Sequence, residues 1–116
     1  MQHDIRKFLY DIRLACETLV EFTRNRSLDD YEAELLLRSG IERQLEIIGE
    51  ALNQASKIDP TLTKKITGFR QIINLRNVII HGYASIENET VWGILQNDLP
   101  ALYEQVRKLL DEKSSG

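Results

Sequence analysis

Apolar residues in this chain recur at spacings of three and four, and no stretch of four to eight residues alternates strictly. That spacing lines one face of a helix, whereas a half-buried strand needs a period of two. The stripe Ile5, Phe8, Leu9, Ile12, Ala15, Cys16, Leu19 and Phe22 predicts an amphipathic helix over 4–25, with Arg6, Asp11, Arg13, Glu17, Glu21 and Arg24 between the apolar positions. Asn25-Arg26-Ser27 breaks the period, and Ser27 with Asp30 three residues on has the pattern of a helix cap. From Tyr31 to about Ser56, Leu35, Leu37, Ile41, Leu45, Ile48, Leu52 and Ala55 predict one long helix, with a bend allowed at Ser39-Gly40 and a close helix contact at Gly49. Asp59-Pro60-Thr61 marks a turn, with Pro60 placed to open a short helical segment. Phe69 to His81 forms a third main helix stopped by Gly82, and Val91 to Leu110 a last one bent near Pro100.

The fold class that follows is all-α, a bundle of four main helices. A chain of 116 residues has the size of one domain, assigned here to 1–112, with 113–116 expected to be a disordered tail. Apolar runs reach only three or four residues, too short to span a membrane, and the N-terminus lacks the apolar stretch of a secretory signal. The single cysteine, Cys16, has no partner for a disulfide and lies on the apolar stripe, so it reads as a buried structural thiol in a cytoplasmic protein. With His3 and His81 as the only histidines, no Cys/His cluster at zinc-ligand spacing exists, and no metal or other cofactor is expected.

The net charge of −3 disfavours a protein that coats nucleic acid nonspecifically, but its distribution is uneven. Residues 1–56 sum to −4 and 84–116 to −3, whereas 57–83 sum to +4. This basic segment holds Arg76-Asn77-Val78-Ile79-Ile80-His81-Gly82-Tyr83. Asn77 and His81 are four apart and share a helix face, with Arg76 one residue round. An imidazole and a guanidinium suit RNA cleavage without metal. A base takes the 2′-OH proton, an acid protonates the departing 5′-oxygen, and the guanidinium steadies the phosphorane charge. One chain supplies one such imidazole, so the chemistry calls for a two-fold dimer with a composite site. Lys64, Lys65 and Arg70 are basic residues leading toward it, suited to RNA phosphate contacts.

The segment resembles the HepT-like toxins of the HEPN superfamily, whose signature is an Arg, four to six residues, a His, one residue and a Tyr, here Arg76, His81 and Tyr83. The likeness extends to Arg43-x-x-Glu46-Ile47-Ile48-Gly49-Glu50-Ala51, to Val91-Trp92 and to Asp98-Leu99-Pro100, and so covers essentially the whole chain. It implies a four- to five-helix bundle that dimerises and acts as a metal-independent ribonuclease, with Arg76 and His81 catalytic and Asn77 supporting. It also implies an MntA-like nucleotidyltransferase antitoxin as partner, and Tyr83 as the position where such a partner attaches AMP. The alternative is a noncatalytic HEPN-type module that binds a nucleotide or serves as the accessory subunit of a nucleotidyltransferase. Glu46 and Glu50 read as a salt-bridged face, with Arg43 able to pair with either or to reach the groove. Trp92 and Phe69 keep the apolar period and are assigned to the core.

Overall fold

In the computed structural model, which describes residues 4–81 and 88–115, every regular element is a helix. The order is α1 (Ile5–Thr23), α2 (Leu28–Ala33), α3 (Leu35–Ile58), α4 (Leu62–Lys65), α5 (Phe69–His81), α6 (Asn88–Asn97) and α7 (Leu99–Ser115). None of these helices is long and apolar enough to cross a membrane. His3, Gly82 and Tyr83 lie outside the described residues.

Short side chains set the starts of α1 and α2. Asp4 accepts the Arg6 backbone N–H at 2.9 Å and opens α1. Ser27 and Asp30 form the expected box reciprocally, the Asp30 backbone N–H donating to Ser27 Oγ at 3.2 Å and the Ser27 N–H to Asp30 Oδ2 at 2.9 Å. Asp59 accepts from the Thr61 N–H and hydroxyl, and these hydrogen bonds hold its carboxyl below the usual carboxylate range. The short helix then begins at Leu62, so Pro60 precedes it instead of opening it.

Two expected long helices are each divided. The first breaks at Glu34, whose backbone is extended, and Gly40 continues α3 without a stop. The break turns Tyr31 inward, where it is fully buried with its ring 5.8 Å from that of Trp92. Arg38 Nη1 donates to the Tyr31 and Glu32 carbonyls freed at the end of α2. The break also shifts the phase of what precedes it. Leu35, assigned to the buried stripe, is 68% exposed, because the stripe is set by Ile41, Leu45, Ile48 and Leu52. The second long helix divides at Asp98 and leaves Pro100 second in α7, where its missing N–H costs nothing. α7 runs on through Lys113 to Ser115, past the boundary expected at 112. The described residues therefore hold seven helices, more than a four- to five-helix bundle.

α3 is the central rod. It packs along α1 on one side and α5 on another, while α7 covers α1 and α6 bridges α2 and α7. Leu9, Ile12, Cys16 and Leu19 meet Ile41, Ile48 and Leu52 in one core that also takes Phe69, Ile72, Leu102 and Val106. Each large aliphatic side chain fully buried there contributes about 1.5–3 kcal/mol. α5 is fixed at its start by Gly68, whose φ of 77° favours a residue without Cβ, and by Gln105 of α7. The Gln105 side chain accepts from the Thr67 N–H and donates to its hydroxyl, both at 2.9 Å.

Cys16 is fully buried, as expected, and burial pushes its thiol up to about 12. The native protein should therefore resist maleimide at neutral pH and react promptly once denatured, as followed by intact mass. Fast labelling of folded protein would contradict this packing.

Candidate functional site

The side chain that the sequence marks most strongly, Arg76, sits where α5 approaches α3 closely at Gly49. Ile72 and Leu75 turn into the core, and Arg76 follows on the flank of the helix. Its aliphatic stem lies directly on the backbone of Gly49. A Cβ built at Gly49 would stand 2.4 Å from Arg76 Cβ and 2.5 Å from Cγ, so only glycine permits this contact. The close helix contact expected at Gly49 is thus present, and its partner is Arg76.

Beyond the stem, Arg76 Nη2 pairs with the Glu50 carboxylate and Nη1 donates to Asn77 Oδ1 at 2.8 Å. The Arg76 Nε is buried and has no hydrogen-bond partner among the described residues. Glu50 is engaged from both sides, since its other oxygen accepts from Gln54 Nε2 at 3.0 Å. A four-residue polar chain, Gln54, Glu50, Arg76 and Asn77, therefore runs from α3 to α5. Arg76 keeps 23% of its side-chain surface open to solvent.

That open surface lines a groove of about 450 Å³ between α1, α3 and α5. Ile47, Ala51 and Phe8 supply its apolar wall, and Ile80, one turn beyond Arg76, stands exposed at its edge. Three lining cations each face a lining carboxylate: Lys7 with Asp11 at 2.9 Å, Arg43 with Glu46 at 3.3 Å, and Arg76 with Glu50. Among the described residues its lining charges balance, so it is not a basic trough.

Of the predicted site residues, Arg76 and Asn77 are in contact. His81 is the last residue of α5, on the same helical row as Asn77, and its side chain lies outside the description. Lys64 and Lys65 are exposed on α4 and Arg70 on the first turn of α5; none lines the groove, and Lys65 faces Asp59 at 3.7 Å. Sequence reasoning set Glu50 aside as part of a solvated or salt-bridged face. The pair is real, but its partner is Arg76 on another helix. The signal was the adjacency Gly49-Glu50, which puts an acid beside the point where a second helix touches. Gln54 and Lys7 carried no comparable signal.

An all-helical domain whose third long helix carries the sequence Arg-Asn-x3-His, with its arginine at an open groove, defines the class of protein. Residues 12–109 match the family described as ribonuclease HepT-like, and the chain belongs to that family. It is 30% identical over 107 residues to "Putative RNase MJ1380" of Methanocaldococcus jannaschii, covering 90% of this chain and 95% of the relative. It is also 30% identical over 111 residues to "Probable ribonuclease HepT" of Thermococcus cleftensis, covering 93% of this chain and 100% of that one. "Putative RNase TTE0752" of Caldanaerobacter subterraneus is 29% identical over 108 residues, covering 93% and 96%. No solved structure gives a significant match.

Gly49→Ala should test the α3–α5 contact. The added methyl meets the base of Arg76, which cannot swing away as a side-chain tip would, so α5 must shift at a cost of about 1–3 kcal/mol. A fall in melting temperature of about 4 °C per kcal/mol is expected for a domain of this size. An unchanged melting temperature would show that the helices are farther apart.

Proposed function

We propose that the chain is the toxin of a toxin–antitoxin pair: a metal-independent endoribonuclease that works as a homodimer, with Arg76 and His81 of both copies meeting at a shared groove. Family membership supports the reaction class. The single observation that carries the site is the Arg76 guanidinium, gripped by Glu50 and Asn77 at an open groove on the helix that ends in His81. In this reading one imidazole removes the 2′-OH proton and the other protonates the departing 5′-oxygen. Arg76 meets the charge that develops on the phosphorane, and Asn77 supports it. Lys64, Lys65 and Arg70 contact phosphates farther along the strand.

One observation favours the rival, a noncatalytic helical module that binds a nucleotide or accompanies a nucleotidyltransferase. Arg76 already has a carboxylate partner, as a structural arginine would. The two readings separate in a cleavage assay on single-stranded RNA. Arg76→Ala and His81→Ala should each lower the rate by about 10²- to 10⁴-fold while helical content by circular dichroism is unchanged. Wild-type cleavage should persist in EDTA and leave 2′,3′-cyclic phosphate ends. Activity within a few-fold of wild type in either variant would sink the site, and restoration by Mg²⁺ after EDTA would sink the metal-free mechanism.

The partner in this proposal is an MntA-like nucleotidyltransferase that silences the toxin by attaching AMP to Tyr83. A bulky anion two residues beyond His81 would obstruct RNA and compete for Arg76. Coexpression with the transferase, followed by intact mass and peptide mapping, should find adenylyl mass on Tyr83 together with loss of cleavage. An unmodified Tyr83 in a fully inhibited complex would rule this switch out.

A further inference from the structure

We infer that Glu50 is a positioning residue for the Arg76 guanidinium, held between Gln54 and Arg76 so that the remaining N–H groups are kept ready for an anionic phosphodiester. The inference rests on the ribonuclease reading for what the guanidinium does, but not for how it is held.

The donor count carries the argument. A guanidinium has five N–H groups in a rigid fork. The Nε hydrogen is buried, one on Nη2 goes to Glu50 and one on Nη1 goes to Asn77. Among the described residues, one N–H on each terminal nitrogen is left, enough for a two-point grip on phosphate oxygens. Because Asn77 accepts through Oδ1, its amide nitrogen is left to donate, so the grip that orients Arg76 also orients Asn77.

Glu50 is suited to this task and poorly suited to be a surface charge alone. Ordinary exposed pairs join flexible side chains and stabilise little. Here both carboxylate oxygens are engaged from two helices, and the arginine stem is already immobilised on Gly49. The ordering of the guanidinium is thus completed on folding and need not be repeated when a substrate arrives. Glu50 also lowers the net attraction of Arg76 for an anion, so its charge and its grip act in opposite directions and can be separated by substitution.

The test compares wild type, Glu50→Ala and Glu50→Gln in the full-length chain with two readouts. In proton–nitrogen NMR of the guanidinium groups, resolved Arg76 Nη signals are expected in the wild type, averaged signals in Glu50→Ala, and resolved signals in Glu50→Gln, whose amide oxygen still accepts while Gln54 turns its own oxygen toward the new amide. In steady-state cleavage of single-stranded RNA, Glu50→Ala should lower kcat by about 10- to 100-fold with KM within a few-fold. Glu50→Gln should recover most of kcat, with KM equal or lower. Averaged wild-type signals, or signals still resolved in Glu50→Ala, would overturn the inference, as would a raised KM with unchanged kcat. If the wild type does not cleave RNA, or if Arg76→Ala cleaves as well as wild type, the ribonuclease reading fails instead, and the NMR comparison alone decides whether Glu50 holds the guanidinium.

Discussion

The close approach of α5 to α3 at Gly49 sets the geometry of the groove, because it decides where the Arg76 stem begins and therefore how far its guanidinium reaches. With a side chain at position 49 the helices would part, and the ion pair to Glu50 one residue on would lengthen with them. The same contact brings Ile72 and Leu75 into the core with Ile48 and Leu52, so packing and site share one line of contact. Burial stabilises the helix pair, and the polar chain from Gln54 to Asn77 is arranged along its edge. A small residue at the crossing is what lets a long cation lie flat against a neighbouring backbone and still end in solvent.

Much of this was legible in the sequence, and the exceptions share a cause. α1 and α5 fall within two residues of their expected limits because the apolar period is unbroken along each of them. The break at Glu34 was not legible, since no Gly or Pro marks it. It exists because burying Tyr31 against Trp92, and satisfying the freed carbonyls with Arg38, outweighs continuing the rod. The partner of Glu50 was hidden for the same reason. Spacing along one helix suggests neighbours three and four residues away, and Arg76 is 26 residues distant. Long-range partners depend on how helices cross, which period alone does not specify.

The basic segment 57–83 also resolves into two different environments. Lys64 and Lys65 on α4 and Arg70 at the start of α5 are exposed, whereas Arg76 is half-sheltered beside Glu50 of α3. A positive sum over a stretch of sequence thus does not describe a positive surface. Glu50, from the first half of the chain, pairs with Arg76 and neutralises the part of the segment that reaches the groove.

In the ribonuclease reading, the three matched ion pairs of the groove bear on how fast an RNA strand can find it. A trough of unpaired cations draws polyanions from beyond a Debye length and lifts association toward the diffusion limit, steeply dependent on salt. Lys7, Arg43 and Arg76, each opposite a carboxylate, project little such field. In the ribonuclease reading, long-range attraction of the strand then falls to cations outside the groove, such as Lys64 and Arg70, while the groove itself sorts by fit after collision, which leaves a strand of the wrong shape free to depart as readily as it came.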